Sequence, residues 1–108
     1  MSKDEKKEAK ENIQDSLQKY SAIQDKFGTY IEQVRDGDVE FNPEEHQEKS
    51  ELAETVLTEL RKIDDVITFD KIQVDVDMKG VIYKQQTYIQ ELCKLAKKKA
   101  PNADSKNL

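Results

Sequence analysis

The chain has 108 residues, enough for one domain without a large core, so an enzyme with a deep, dry pocket is not expected. Charged residues make up 38% and hydrophobic residues 35%, with 6% aromatic, a mixture typical of helical bundles rather than sheets. The net charge of -5 argues against nucleic-acid binding, because that affinity rests on a basic surface that neutralises phosphates.

Signals for export or membrane insertion are not visible. The amino terminus MSKDEKKEAKEN lacks the apolar core of a signal peptide, and no run approaches the ~20 apolar residues of a membrane span. Cys93 is the only cysteine, which excludes an internal disulfide and predicts a small, half-buried residue beside Leu92. We therefore expect a cytoplasmic protein, with the nucleus as the alternative, and no direct membrane insertion.

The first helix is predicted over about residues 11–35. Residues 1–10 are almost wholly charged, so we expect them to be a frayed helix start or disordered. Apolar residues then recur at steps of three and four along one helical face: Ile13, Leu17, Tyr20, Ile23, Phe27, Tyr30 or Ile31, and Val34. Gly28 inside this helix suggests a close approach of a neighbouring helix, and Gly37 is available for the left-handed conformation that ends a helix.

The second helix is predicted over about residues 43–67. Asn42 can accept a hydrogen bond from a free backbone amide, Pro43 fits the first helical position, and Glu45 completes a box-like pattern. One apolar stripe then continues through this segment: Leu52, Ala53, Val56, Leu57, Leu60, Ile63 and Ile67.

The third helix is predicted over about residues 72–99. Residues 68–77 alternate apolar and polar side chains as a strand would, but a lone strand has no partner, so we interpret them as a turn and an irregular helix start capped by Asp70 or Asp75. Pro101 forbids continuation, and 101–108 should be a disordered tail. Three amphipathic helices of this kind predict an all-α fold, an antiparallel three-helix bundle over residues 11–100.

Catalytic and metal-binding patterns are not apparent. His46 is the only histidine, and no glycine-rich phosphate loop exists. Asp70, Asp75 and Asp77 lack the central glycine and closing glutamate of a calcium loop. We therefore expect no enzyme activity, no catalytic residue, no cofactor and no metal.

The second half of the chain resembles the BAG domain, the three-helix module of co-chaperones that act on seventy-kilodalton heat-shock chaperones. The resemblance rests on Glu54 within AETVLTELRKIDDVI, on the Ile63-Asp64 pair ten residues later, and on MKGVI followed by Gln86 and an apolar heptad to Leu92. It is strongest over residues 52–92, and the first helix agrees only in its apolar pattern.

The resemblance implies a co-chaperone that binds the ATPase domain of such a chaperone and promotes ADP release. By position, Glu54 and Asp64 correspond to the acidic contacts of the family, Lys79 to its lysine and Gln86 to its polar contact on the third helix. Met78 stands where the family has an arginine. Two interpretations of that difference stay open: Lys79 substitutes as a point charge, or the domain kept its fold and changed its partner.

An alternative function is a scaffolding bundle that binds another helical protein. Such an interface would use the tyrosines, which are frequent in protein interfaces: Tyr20, Tyr30, Tyr83 and Tyr88. Charge changes at Glu54, Asp64 and Gln86 should abolish binding under the co-chaperone hypothesis and leave it unchanged under this one.

Overall fold

The computed structural model describes residues 3–99, which form three α-helices and no strand. Helix α1 is Lys3–Asp36, α2 is Pro43–Asp70 and α3 is Met78–Lys99. The all-α prediction is therefore confirmed. The predicted tail at 101–108 and the last residue of the predicted domain lie outside the described residues.

Helix α1 begins eight residues before the predicted start, within the segment expected to be frayed or disordered. Asp4 and Glu5 lie in its first turn, where carboxylates interact favourably with the helix dipole, and Ala9 packs against the core. The end agrees with the prediction at Gly37, which has φ of 81° and is followed by Asp38, whose amide donates to the Gln33 carbonyl at 2.9 Å.

Helix α2 begins as predicted. The Asn42 side chain accepts a 3.1 Å hydrogen bond from the amide of Glu45, and Pro43 opens the helix. The helix runs to Asp70, three residues further than predicted, and ends at Lys71, whose left-handed backbone has φ of 55°. The next amide, that of Ile72, donates to the Ile67 carbonyl at 3.0 Å, and the Ile72 side chain is buried.

Helix α3 begins at Met78, so the prediction that it starts near residue 72 is wrong. The residue directly before α3 is Asp77, not Asp70 or Asp75: Asp70 ends α2, and the carbonyl of Asp77 accepts the first helical hydrogen bond, from the Val81 amide at 3.0 Å. Burial of Ile72 directly after the left-handed Lys71 turns the chain away from the α2 axis, so residues 72–77 cross to the next helix without regular structure.

Each helix contacts the other two, and the apolar faces meet in one core. Gly28 of α1 lies against α3, because a Cβ atom there would be 3.1 Å from the Tyr88 hydroxyl oxygen, which confirms the predicted close approach. The contacts between helices are compatible with an antiparallel bundle. Within residues 3–99, no helix is long and apolar enough to span a membrane.

Candidate functional site

A buried layer of glutamines joins all three helices at mid-height. Gln85 of α3 is fully buried and donates a 2.9 Å hydrogen bond to the Ala53 carbonyl of α2. Gln24 of α1 donates to the Gln85 side-chain oxygen and to the Val81 carbonyl, each at 3.2 Å. Because a buried amide without partners is costly, these bonds favour one relative position of the helices.

A second polar contact lies near the amino terminus of α2. His46 is buried, with Nδ1 2.7 Å from the Tyr30 hydroxyl and Nε2 2.7 Å from the Leu92 carbonyl oxygen. A carbonyl only accepts, so Nε2 carries a hydrogen and donates it to Leu92; in the tautomer with hydrogen on Nε2 alone, Nδ1 accepts from the Tyr30 hydroxyl. Burial raises the pKa of Tyr30 above its usual value, and the Glu45 carboxylate adds to that effect.

Sequence reasoning missed these buried polar residues, although a signal was present. Gln24 and Gln85 stand at steps of three or four from apolar residues of the same face, where a polar side chain must find a partner. From the sequence, His46 stands out only as the single histidine that a metal site or a nucleophilic dyad could use. Its packing between Tyr30 and Phe41, with the Phe41 ring centroid 4.9 Å away, depends on long-range contacts that no local pattern announces.

Three of the predicted site residues meet at the junction of α2 and α3. Asp64, Met78 and Lys79 line a depression of about 510 Å³ together with residues of the 72–77 segment. Lys79 is exposed and Asp64 is half-exposed, whereas Met78 is only 6% exposed and belongs to the core. The position at which the family has a contacting arginine is therefore a packing position in this chain.

The other two predicted residues lie further along the same helix pair. Glu54 is exposed and lines a groove of about 220 Å³ between α2 and α3, together with Ile89 and Cys93. Gln86 is half-exposed, one turn before Ile89. Cys93 is exposed, so the prediction that it is half-buried is wrong: Leu92 fills the core position, and the next residue points about 100° away around the helix.

The two helices that carry the predicted residues have opposite charge. Helix α2 contains nine carboxylates and three basic side chains, whereas α3 contains one carboxylate, Glu91, and six lysines. Glu91 accepts a 2.9 Å ion pair from Arg35 of α1 and lies 3.5 Å from Lys94. The pair therefore presents an acidic helix beside a basic one, which suits a partner surface with the reverse arrangement.

The side chains of Glu54, Asp64, Lys79 and Gln86 have no hydrogen-bond or ion-pair partner among residues 3–99. Of the four tyrosines, Tyr30 is buried, Tyr20 and Tyr88 are half-buried, and Tyr83 is 71% exposed. In the same part of the chain, no group of three or more His, Cys, Asp or Glu side chains is placed to hold a metal ion.

No protein-family model, curated protein or solved structure matches this chain. The resemblance to the BAG domain stays a prediction, supported by the residues quoted for it.

Proposed function

We propose that the chain is a co-chaperone module of the BAG type that works without catalysis in the cytoplasm. Its helices form an antiparallel three-helix bundle, and the α2–α3 pair binds the ATPase domain of a seventy-kilodalton heat-shock chaperone. Binding favours the open nucleotide cleft and so promotes ADP release. No nucleic acid, metal or cofactor takes part.

The observation that carries this proposal is the set of unpaired polar side chains along α2 and α3. Glu54 and Asp64 are ten helical residues apart, about 15 Å along the axis, so they can address two separate basic groups. Lys79 lines the depression that Asp64 also lines, and Gln86 lies two turns further along α3. Side chains without partners inside the molecule are free to pair with a second protein.

The glutamine layer and the His46 contact support the same proposal, because together they fix the position of α2 relative to α3 before binding. Gln85 ties α3 to the α2 backbone at Ala53, one residue before Glu54, and His46 ties α2 to the α3 backbone at Leu92. A preorganised pair loses little conformational entropy on binding. A module that binds the open state of the chaperone more tightly than the closed state shifts the chaperone population towards the open state. The size of the shift is set by the difference in affinity.

The test measures release of a fluorescent ADP analogue from a purified chaperone ATPase domain, with and without this protein. Wild type should accelerate release, and Glu54→Ala and Asp64→Ala should each remove most of the acceleration, because a lost charged contact costs about 2–5 kcal/mol. The matched control is Glu48→Ala. This exposed carboxylate lies on α2 six residues before Glu54 and therefore about 120° around the helix.

Two results would contradict the proposal. In the first, wild type neither binds the ATPase domain nor changes the release rate. In the second, Glu48→Ala weakens the effect as much as Glu54→Ala, which would indicate attraction by net charge rather than contact at a defined site.

A scaffolding function is the second candidate, and one observation favours it. Phe69, in the last turn of α2, is 87% exposed, and Val66 one turn earlier is also exposed. Exposed aromatic residues of this kind are frequent in protein interfaces. If Phe69→Ala abolishes capture of a partner while Glu54→Ala does not, this interpretation replaces the co-chaperone proposal.

A further inference from the structure

Tyr83 occupies the middle of the surface on α3 that carries Lys79 and Gln86. Its side chain is 71% exposed. Lys79 precedes it by four residues and Gln86 follows it by three, so on a helix both are its immediate neighbours, with Cβ atoms about 5–6 Å apart. An aromatic side chain therefore lies between two residues that the proposed function assigns to the partner.

The side chains of the other three tyrosines each make a hydrogen bond, ring contact or cation–π contact, whereas within residues 3–99 the Tyr83 side chain makes none of these. The Tyr30 hydroxyl meets His46, the Tyr88 ring lies 6.4 Å from the Phe27 ring, and the amino group of Lys19 lies 5.9 Å from the Tyr20 ring centroid. Within residues 3–99 neither the ring nor the hydroxyl of Tyr83 has such a partner. Packing inside the molecule does not account for a tyrosine here.

Tyr83 lies on a face of α3 that carries lysines and no carboxylate of α3 itself. Spacing of three and four residues places six side chains on one stripe, which we call the α3 stripe: Lys79, Tyr83, Gln86, Gln90, Lys94 and Lys97. From Lys79 to Lys97 it extends about 27 Å along the axis. The stripe contains no carboxylate. The single acidic residue of α3, Glu91, pairs with Arg35 at 2.9 Å and lies 3.5 Å from Lys94 of the stripe, which leaves Lys79 and Lys97 as its lysines without an intramolecular partner within residues 3–99.

We propose that Tyr83 is the anchor through which the α3 stripe docks on an acidic surface of the chaperone ATPase domain, a surface with an apolar recess for the ring. This inference rests on the proposed function and adds to it a contact that the resemblance does not assign. The lysines pair with carboxylates of the partner, and the ring supplies the apolar area that charged contacts lack.

The physical chemistry of interfaces favours this role for Tyr83. Tyrosine is among the residues that most often dominate binding energy, since it buries a large rigid ring and keeps a hydroxyl for hydrogen bonding. Such residues lie near the centre of an interface with polar groups around them. Tyr83 has Lys79 on one side and Gln86 on the other, which matches that arrangement.

The experiment measures the dissociation constant of the full chain and the chaperone ATPase domain by calorimetry, at low and moderate salt, for wild type, Tyr83→Ala and Tyr83→Phe. Tyr83→Ala should weaken binding by about tenfold or more, and Tyr83→Phe by less, because it keeps the ring. Tyr83→Ala should keep the salt dependence of wild type, since the lysines remain. The matched control is Phe69→Ala, an even more exposed aromatic on α2 that lies outside the surface assigned to the chaperone and should change the affinity by less than about twofold.

Circular dichroism and urea denaturation verify that each variant keeps its fold, as expected for an exposed position. Equal affinities of Tyr83→Ala and wild type would overturn the inference and leave the proposed function standing. Equal losses of affinity in Tyr83→Ala and Phe69→Ala would also overturn the inference, because any exposed aromatic side chain would then contribute to binding, whatever its position. Failure of wild type to bind the ATPase domain would overturn the inference together with the proposed function.

Discussion

The side-chain amide of Gln85 donates a 2.9 Å hydrogen bond to the main-chain carbonyl of Ala53, across the interface between α3 and α2. Both residues are fully buried. The same side chain accepts from Gln24, so one glutamine contacts both of the other helices. Its bonds are specific to one alignment of the helices, which purely apolar packing does not require.

Replacing Gln85 should therefore lower the free energy of unfolding, by an amount that depends on how many hydrogen bonds and how much side-chain volume the substitution removes. Gln85→Ala removes both bonds and leaves a cavity, and we expect the free energy of unfolding to fall by about 2–4 kcal/mol. Gln85→Met keeps most of the volume and should cost about 1–2 kcal/mol. Urea denaturation measures both, with the exposed Gln90→Ala as the control, expected within about 0.5 kcal/mol of wild type. Equal losses for Ala and Met would show that the hydrogen bonds, not the volume, account for the effect.

The sequence predicts the helices well where local chemistry decides and less well where tertiary packing decides. Asn42 and Pro43 announce the start of α2, and the observed cap agrees. The sequence predicts the start of α3 near residue 72 instead of Met78, because Val74 and Val76 alternate with polar residues as in a strand, and a strand without a partner is better interpreted as an irregular helix start. Burial of Ile72 sets that turn, and no residue near it in sequence predicts this burial.

For the candidate site, too, the sequence predicts what depends on spacing along a helix and misses what depends on tertiary packing. The spacing of Glu54, Asp64, Lys79 and Gln86 places all four on the α2–α3 pair, and the structure leaves their side chains unpaired within the described residues. Burial of Met78 could not be predicted, because it depends on where α3 begins. The exposure of Tyr83 could not be predicted either, since a tyrosine at helical spacing more often lies at the edge of a core.

Gly28 and Tyr88 should be energetically coupled. A Cβ on Gly28 would lie 3.1 Å from the Tyr88 hydroxyl oxygen but 3.7 Å from the ring carbon that bears it, an ordinary contact. In the Tyr88→Phe background, Gly28→Ala should raise the free energy of unfolding by about 0.5–1 kcal/mol through helix propensity. In the wild-type background the gain should be smaller or absent. A double-mutant cycle by urea denaturation measures the coupling, and strict additivity would contradict it.

Lys71 adopts a left-handed backbone conformation with φ of 55° where α2 ends. This conformation is unfavourable for residues with a Cβ atom and free of strain for glycine. Lys71→Gly should therefore raise the free energy of unfolding by about 0.5–1 kcal/mol, measured by urea denaturation. Lys71→Ala is the control, because it removes the same charged side chain and keeps the Cβ, and it should give no such gain.

Stability should decrease at alkaline pH because of Tyr30. Burial, and secondly the Glu45 carboxylate, raise its pKa in the folded state above the value of about 10 in the unfolded chain. The folded protein then holds the Tyr30 proton more tightly than the unfolded chain does. The stabilisation that this gives is therefore fully present below pH ~10 and is lost as the pH rises through the pKa of the folded state. Urea denaturation between about pH 8 and pH 11 should show a steeper decrease for wild type than for Tyr30→Phe. Parallel curves for the two proteins would contradict this assignment.

An arginine at position 78, where the BAG family has one, should destabilise the fold, whereas under the proposed function an arginine at position 79 should improve binding. Met78 is 6% exposed in the core, so Met78→Arg buries part of a charged side chain and should lower the free energy of unfolding by about 1–3 kcal/mol.

Lys79 is exposed, and Lys79→Arg should leave stability within about 0.5 kcal/mol of wild type. Under the proposed function, Lys79→Arg should also bind the chaperone ATPase domain more tightly, because a guanidinium pairs with a carboxylate through two hydrogen bonds where an ammonium acts as a point charge. Urea denaturation and calorimetric titration separate the two effects. A stable Met78→Arg variant that binds more tightly than Lys79→Arg would show that residue 78 reaches the partner and that its burial is easily reversed.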